Sequence, residues 1–314
     1  MTPTAYVIGG NGFVGRHLVD LVLASEWRVV VIDPSLDTHP PHAGSTTARS
    51  SRDGQAVLLP STVTVATLDR AREEAGEPNH VFHLGGSGSV GAAADNPARD
   101  FHSTVSSTAT LLGWLATGPG ARITYVSSAA VYGDGAVTPL PESRAVSPMS
   151  IYGVHKASAE QLLQSYHRLL DIRYTVIRFF SIYGPGLRKQ LLWDACQKLG
   201  QRSAEFGGDG SELRDWLHVQ DAVRLMVMAA LCERDELVVN GATGKATRID
   251  AVIDQLRGSM GSTADVRFSG RGRAGDPHAL VADVGRARAL GFEPRIALED
   301  GLADYARWFV EQTC

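Results

Sequence analysis

Residues 5–15, Ala-Tyr-Val-Ile-Gly-Gly-Asn-Gly-Phe-Val-Gly, decide the fold. The stretch begins as a short apolar strand and ends in glycines at every third position. It leads directly into a helical pattern over His17–Ala24, and Arg28–Ile32 then forms a second apolar strand that ends in Asp33. This strand–turn–helix–strand unit of about thirty residues is the smallest parallel crossover.

The glycine turn is typical of a dinucleotide-binding crossover. Gly9 permits the tight turn, Gly12 lets the backbone approach a pyrophosphate, and Gly15 allows close packing of helix on strand. The helix N-terminus that follows favours an anion. Asp33 is expected to accept hydrogen bonds from an adenosine ribose and to repel a 2′-phosphate, so the pattern predicts NAD rather than NADP. The alternative is a purely structural turn.

Alternating strands and helices continue through the first half of the chain and predict a parallel sheet with helices on both faces. We therefore expect an α/β fold of the Rossmann type, doubly wound, with a smaller C-terminal α/β substrate lobe. The predicted dinucleotide domain is 1–180, parts of 215–245 pack back on it, and 181–314 form the lobe. Residues 34–60 show no helical periodicity and predict a long loop. The further predicted elements are strands at Asn79–Leu84, Arg122–Ser127 and Tyr174–Phe179 and helices at Pro97–Ala116, Ile151–Leu170 and Val219–Leu231.

Composition excludes several classes of protein. The chain has 314 residues, of which 44% are hydrophobic and 20% charged, which is ordinary for a globular protein. Its formal net charge of −4 gives no bulk attraction for nucleic acid or an anionic membrane. No apolar run is long enough to span a bilayer, and the N-terminus does not resemble a signal peptide. The cysteines at 196, 232 and 314 are too scattered for a disulfide framework or a metal site, so we expect a cytoplasmic protein without a metal.

Tyr152 and Lys156 lie four residues apart on the predicted helix, so both side chains share one face. A phenol with a pKa of about 10 is a poor base at neutral pH. A neighbouring ammonium and a positively charged nicotinamide would lower that pKa, and Tyr152 could then take a proton from a sugar hydroxyl. The alternative is a surface pair on an amphipathic helix.

Ser127 and Ser128 end a central strand, where open α/β sheets place their ligands. A hydroxyl at this position could hydrogen-bond both a substrate oxygen and the tyrosine. Taken alone, these two residues could equally well be serines that cap a loop.

Taken as a set, these stretches resemble the extended short-chain dehydrogenase/reductase family, and within it the nucleotide-sugar epimerase/dehydratase group. The resemblance extends through most of the chain. Its pieces are Gly9–Gly15, Asp33, Phe82–Leu84, Ser127–Gly133, Tyr152–Lys156, Arg178–Gly186, Arg214–Val219 and Arg273–Asp276.

The resemblance implies a role for individual residues. Ser128 matches the catalytic serine or threonine, Tyr152 the base, and Lys156 the residue that holds the nicotinamide ribose. Arg214 matches the position that binds the sugar-nucleotide phosphates, and a guanidinium suits phosphate oxygens, although an ion pair with a nearby aspartate would also explain it. Further contacts are expected from Phe13, Val14, Leu84 and Gly85 to NAD, and from Ser181, Arg273 and Asp276 to the nucleotide sugar.

Two positions depart from the family pattern. Ser181 and Thr104 each stand where the family usually has an asparagine. The Gly-Asp pair that the family places after the third strand is not recognisable around 63–69, and the predicted loop over 34–60 would replace the usual element there.

The serine motif also bears on the type of reaction. Dehydratases of the group usually carry Thr-Asp-Glu where this chain has Ser128-Ala129-Ala130, which offers no second acid or base. The resemblance therefore favours an NAD-dependent 4-epimerase that acts through a 4-keto intermediate on a nucleotide diphosphate sugar. A keto-sugar reductase or dehydrogenase, a dehydratase of unusual regiochemistry and a catalytically silent NAD-binding regulatory protein stay open. The family often forms homodimers through a helix pair, for which 97–116 and 151–170 offer candidate faces.

Overall fold

A computed structural model describes residues 2–41, 45–134, 139–271 and 277–313. The strands are β1 Thr4–Ile8, β2 Arg28–Ile32, β3 Ala56–Leu59, β4 His80–His83, β5 Arg122–Ser128, β6 Tyr174–Phe179, β7 Ser181–Tyr183, β8 Ser203–Phe206, β9 Leu213–Arg214, β10 Trp216–His218, β11 Glu236–Gly241, β12 Thr247–Arg248, β13 Asp265–Phe268 and β14 Ala279–Leu280. The α-helices are α1 Phe13–Ala24, α2 Thr46–Arg52, α3 Val65–Ala75, α4 Val90–Asp95, α5 Pro97–Phe101, α6 Ser107–Leu115, α7 Ile151–Leu170, α8 Gln190–Leu199, α9 Val219–Ala230, α10 Ile249–Ser259, α11 Gly285–Ala289 and α12 Leu298–Thr313.

The main sheet has the doubly wound order. Within the described part of the chain it has seven strands in the order β11-β6-β5-β4-β1-β2-β3, and β1 pairs in parallel with both β2 and β4. The chain builds outward from β1 to β3 and then returns to β4 on the other side of β1. Such a reversal is where open α/β sheets bind ligands, beyond the carboxyl ends of the two central strands. The expected Rossmann-type α/β fold is confirmed.

Continuous apolar runs explain why these strands are central. Residues 5–8 of β1 and 29–32 of β2 are at most 3% exposed, which is the pattern of strands covered on both faces. Helices supply the cover, as Leu18 and Val22 of α1 and Leu111 and Leu112 of α6 are also buried. The core around β1 and β2 is therefore closely packed.

The prediction of a long loop over residues 34–60 is wrong. This segment contains a 3-10 turn, the helix α2 and the strand β3, which pairs in parallel with β2 at the edge of the sheet. The turn and the helix are held by side-chain caps, because Asp33 accepts from the Ser35 amide and Ser45 from the Ala48 amide. Since α2 is almost entirely polar, it has no apolar periodicity for sequence analysis to detect.

The chain forms two compact units that interleave along the sequence. The sequence analysis divides the chain after residue 180 and returns parts of 215–245 to the first domain, and this assignment of domains stays a prediction. The first unit comprises Met1–Val131, Ser150–Arg178 and Val223–Val239, and the second comprises Tyr132–Met149, Phe179–Ala222 and Asn240–Cys314.

Candidate active site

The glycine turn at the end of β1 has the geometry expected of a dinucleotide-binding turn. Gly9 has a φ of +77°, a conformation that residues with a side chain rarely adopt. A Cβ atom on Gly15 would lie 2.2 Å from the Gly9 carbonyl oxygen, so only glycine lets α1 pack this close to the turn. Gly12 occupies the N-cap position of α1.

The N-terminus of α1 is prepared for an anion. Within residues 2–41, no side chain caps this helix and no acidic side chain lies in its first turn, which begins with the half-buried Phe13 and Val14. The first amide N–H groups of a helix have no partner within the helix, and their dipoles favour negative charge. This uncapped cradle of glycines fits the pyrophosphate of a dinucleotide.

Asp33 is fixed by the protein itself. Its Oδ2 accepts from the Asn11 amide at 3.0 Å, and its Oδ1 accepts from the amide and the hydroxyl of Ser35 at 2.9 and 2.7 Å. A carboxylate has about four acceptor sites, so this buried group can still receive a ribose hydroxyl. The role of Asp33 in binding NAD stays a prediction.

The loop after β4 meets the glycine turn. A Cβ on Gly9 would lie 3.2 Å from the carbonyl carbon and oxygen of Leu84, so the two segments are in van der Waals contact. The Gly85 amide donates to Nδ1 of His83 at 3.2 Å. Burial lowers the pKa of His83 to about 3, so this imidazole stays neutral and keeps its acceptor nitrogen for the loop.

Ser128 and Tyr152 come together as predicted. Ser128 ends β5, Tyr152 lies in the first turn of α7, and their side chains share a hydrogen bond. Ser150 caps α7 by accepting from the Gly153 amide at 3.1 Å. The cap fixes the first helical turn, which carries the phenol.

The expected lowering of the tyrosine pKa depends on a bound nicotinamide and stays a prediction, because the residues of the chain alone have the opposite effect. Burial raises the pKa of Tyr152 to about 12, an effect that the Ser128 hydrogen bond opposes and the charge of Asp100 reinforces. Lys156 does not offset this, because burial lowers its own pKa to about 8 and it loses its charge before the phenol ionises. Deprotonation of Tyr152 at neutral pH therefore requires positive charge beyond what the described residues supply.

Lys156 is held deep inside the first unit. Its side chain is 3% exposed, and Nζ donates to the carbonyls of Val126 at 2.9 Å and Gly85 at 3.3 Å. The ammonium lies 5.8 Å from the centroid of the Tyr152 ring. Lys156 thus links the end of β5, the loop after β4 and α7.

The structure gives the two serines different surroundings, and the family resemblance had already pointed to Ser128. Ser127 is buried and donates to Oε1 of Glu160, whereas Ser128 faces Tyr152. Successive side chains of a strand point to opposite faces, so only one of the two can reach the phenol. Glu160 also accepts from Arg178, with Nη2 2.7 Å from Oε2, and this buried network joins β5, α7 and β6.

Three further residues belong to this region and were missed as site residues. Thr104 lies in a π-helical segment, and its buried hydroxyl has no hydrogen-bond partner among the described residues. Glu160 is four residues beyond Lys156 on α7, a spacing that places it on the same helix face and could have revealed it. Asp100 is a single aspartate in a short helix, and nothing in the sequence marks it.

Two predicted substrate residues belong to the second unit. Ser181 begins β7, and Arg214 lies in β9 with Nη1 donating to the carbonyls of Leu213 at 2.9 Å and His278 at 3.4 Å. The neighbouring Asp215 accepts hydrogen bonds from backbone amides and a hydroxyl in 243–282. Its carboxylate therefore has partners without the ion pair that was the alternative role for Arg214. Arg273 and Asp276 lie outside the described residues.

Two searches of the described residues found nothing. No described helix combines the length and the apolar character that a bilayer crossing requires. In the same residues, no cluster of three or more His, Cys, Asp or Glu side chains is arranged to hold a metal ion.

Known proteins resemble this chain over nearly its whole length. The UDP-glucose 4-epimerase of Azospirillum brasilense is 28% identical over 324 aligned residues, covering 96% of this chain and 90% of that protein. The structure of UDP-glucose 4-epimerase from Thermotoga maritima with UDP-glucose is 26% identical, with a TM-score of 0.88 and coverage of 99% of this chain and 100% of that one. MoeE5 in complex with UDP-glucuronic acid and NAD is 28% identical, with a TM-score of 0.85 and coverage of 99% and 100%.

A model of the NAD dependent epimerase/dehydratase family matches residues 5–240. The match contains the glycine turn, Asp33 and the Ser128–Tyr152–Lys156 group described above. Because it covers well over half of the sequence, the chain belongs to the NAD dependent epimerase/dehydratase family, with NAD as its cofactor.

Proposed function

We propose that this protein is an NAD-dependent 4-epimerase of nucleotide diphosphate sugars, with UDP-linked hexoses as its first candidates. One observation carries the proposal: Ser128, Tyr152 and Lys156 form a connected group at the carboxyl ends of the central strands. The similarity to UDP-glucose 4-epimerases over the full length of the chain supports the choice of reaction.

Tyr152 acts as the base in the proposed reaction. Its phenolate oxygen takes the proton from the C4 hydroxyl of the sugar, and the hydrogen bond from Ser128 holds that oxygen in place. The glycine turn and Lys156 would hold NAD, which would supply a reversible hydride acceptor for C4. Tyr152 gives its proton back to O4 when the hydride reaches the opposite face, so the product is an isomer and no net redox change occurs.

Charge explains how a phenol with a raised pKa can act near neutral pH. The phenolate is disfavoured mainly by burial, and buried charges are stabilised strongly by opposite charges nearby. Lys156 is still largely protonated at pH 7, because its pKa is about 8. Its ammonium would act together with a bound nicotinamide ring, whose positive charge is what the described residues lack.

The residues after Ser128 favour epimerisation over dehydration. Removal of water across C5 and C6 needs a second acid and base beside the catalytic serine. Ala129 is 2% exposed and Ala130 donates its amide to Oγ of Ser128 at 3.2 Å, so neither position supplies such a group.

The remaining predicted substrate residues belong to the second unit. We assign Arg214 to the diphosphate, because a guanidinium can bind two phosphate oxygens at once. Ser181 is assigned to the sugar, and Arg273 and Asp276 to the nucleotide. An anchor on the diphosphate leaves the 4-keto sugar free to turn over between the two hydride transfers.

The test is a panel of sugar nucleotides incubated with purified protein and no added cofactor. UDP-glucose, UDP-galactose, UDP-N-acetylglucosamine and UDP-glucuronic acid are analysed by anion-exchange chromatography and mass spectrometry. The proposal predicts that one pair of 4-epimers interconverts and that Tyr152→Phe reduces the rate at least about 100-fold.

Each rival would give a different product. A reductase or dehydrogenase would consume reduced or oxidised cofactor in stoichiometric amounts, and a dehydratase product would be lighter by one water. If wild type turns over no sugar nucleotide but binds NAD, the protein is a regulatory NAD-binding protein and the proposal is wrong.

We further propose that the protein is a homodimer. Apolar side chains stay exposed on adjoining helices: Phe101 of α5 is 44% exposed, and Ile151 and Val154 of α7 are 41% and 47% exposed. Exposed apolar groups that cluster in this way mark contact surfaces, and a second copy of the chain can cover them symmetrically. Light scattering should give twice the mass of the chain for wild type and a smaller mass for Val154→Arg.

A further inference from the structure

A buried carboxylate–imidazole pair lies next to the catalytic helix and takes no part in the proposed reaction. Asp100 is 1% exposed, and its Oδ2 lies 2.6 Å from Nδ1 of His155. The other oxygen, Oδ1, accepts from the Ser87 amide at 3.2 Å. Asp100 therefore binds two different segments at once.

Both segments carry parts of the NAD site. Ser87 lies in the loop after β4, two residues beyond Gly85, whose carbonyl accepts from Lys156. His155 directly precedes Lys156 on α7 and follows Tyr152 by three residues. Two sets of hydrogen bonds thus fix the position of Lys156 relative to the loop. One set is made by Lys156 itself, and the other is the bridge through Asp100.

We propose that Asp100 and His155 are positioning residues that fasten the loop at 84–88 to the catalytic helix and so shape the NAD site. The inference rests on NAD binding and on the Ser128–Tyr152–Lys156 site, but it does not depend on which sugar is turned over. Neither residue contacts the reacting atoms, so neither is called catalytic.

The surroundings make the bridge strong. The side chains of Asp100 and His155 are 0% and 13% exposed, so water competes poorly for their hydrogen bond. Hydrogen bonds to an ionised acceptor are shorter and stronger than neutral ones. The ring of Phe101 packs edge-on at 5.5 Å from the His155 ring and restricts its rotation.

Asp100 also supplies negative charge to the site. Its charge adds to the effect of burial in raising the pKa values of Tyr125 and Tyr152, and it opposes burial at Lys156, whose pKa burial lowers. The groups that face it are Ser87 from the loop, His155, Tyr152 and Lys156 from α7, and Tyr125 from β5. The bridge and the charge are separable, because an amide in place of the carboxylate removes only the charge.

The first experiment compares two substitutions of His155. Asparagine places an amide nitrogen near the position of Nδ1 and can still donate to Asp100, whereas leucine cannot. The dissociation constant of NAD is measured by titration calorimetry on nucleotide-free protein. We expect His155→Leu to weaken NAD binding about tenfold, the loss of one hydrogen bond to a charged group, and His155→Asn to stay within about twofold of wild type.

The chain offers a matched control on the same helix. His167 donates from Nδ1 to the Ile172 carbonyl at 3.0 Å, and its Nε2 lies 4.0 Å from Glu236. His167 is eleven residues beyond Lys156, about 16 Å along the helix, so His167→Leu should leave NAD affinity unchanged. Circular dichroism and light scattering check that every variant keeps its fold and its mass.

A second variant separates bridge from charge. Asp100→Asn can still accept from the Ser87 amide, and its NH₂ group can donate to His155 once that ring changes tautomer. We expect NAD affinity within about threefold of wild type, and an acid limb of the kcat profile that moves to lower pH, because the charge that raises the pKa of Tyr152 is gone.

Two results would overturn the inference. One is NAD binding by His155→Leu within twofold of wild type in correctly folded protein. The other is a loss of NAD affinity in His155→Asn or Asp100→Asn as large as that in His155→Leu. Calorimetry of NAD binding needs no sugar substrate. The binding results for these variants can therefore be interpreted even if the proposed 4-epimerase activity is not found.

Discussion

Replacing Lys156 with methionine should make the stability of the protein depend on pH in a new way. Methionine keeps the length of the side chain but removes its charge. Burial lowers the pKa of Lys156 from an ordinary value of 10.5 to about 8, so the folded protein holds this proton less tightly than the unfolded chain does. The charged lysine therefore destabilises the folded protein. This loss of folding free energy is fully present below pH 8 and disappears as the pH rises from 8 to 10.5.

The size of the effect follows from these two pKa values. At pH 7 the charged lysine costs about 3 kcal/mol of folding free energy, and at pH 9.5 about 1 kcal/mol. Wild type should therefore gain about 2 kcal/mol relative to the methionine variant between these pH values. The substitution also changes side-chain packing and leaves two backbone carbonyls without their lysine donor. These changes in the free energy of unfolding do not depend on pH, so they cancel when the two pH values are compared.

Thermal unfolding of both proteins, followed by circular dichroism at pH 7 and 9.5, measures this gain. We expect the Tm of wild type to rise relative to that of Lys156→Met by about 3 °C over the interval. Lys198 is the control, because it is 35% exposed and pairs with Asp194 on the surface of α8. A Tm difference for Lys156→Met that is independent of pH would refute the burial argument, as would an equal pH dependence in Lys198→Met.

Two further substitutions test the scaffold of the site. Arg178→Leu leaves the Glu160 carboxylate buried without its partner and should lower the free energy of unfolding by about 3–5 kcal/mol. The control, Arg70→Leu, breaks the exposed pair with Glu74 and should lower it by less than about 1 kcal/mol. Equal losses of Tm in the two variants would contradict the role of the buried network. Gly15→Ala places a Cβ 2.2 Å from the Gly9 carbonyl oxygen and should weaken NAD binding about tenfold or more. Gly113→Ala is the control, because an added Cβ at that position meets nothing within 4 Å. Unchanged NAD affinity in Gly15→Ala would show that the glycine turn does not bind NAD.

Local patterns predicted most of the first unit. The glycine turn, the apolar strands and the pair at 152 and 156 each follow from a few neighbouring residues, and the structure places them as expected. Local information failed for α2, which is stabilised by a serine cap and by the neighbouring strands rather than by an apolar face. The same failure hid β3, a four-residue strand at the edge of the sheet.

Contacts between distant segments were beyond the reach of sequence patterns. Asp100 and His155 are 55 residues apart, and only the folded chain shows that they bind each other. The raised pKa of Tyr152 in the chain alone could not be predicted from sequence either, because burial, its largest cause, is a property of the whole fold. The different surroundings of Ser127 and Ser128 likewise depend on which face of β5 is turned towards α7.

The fate of the hydrogen at C4 tests the proposed chemistry most directly. The substrate identified in the panel is labelled with deuterium at C4 and converted by wild-type protein in ordinary water, and the 4-epimer is analysed by mass spectrometry and proton NMR. Proton removal from O4 by Tyr152 and return of the same hydride to C4 predict that the product keeps the deuterium in full. Replacement of the label by solvent hydrogen would show that C4 itself is deprotonated, and the account would be wrong.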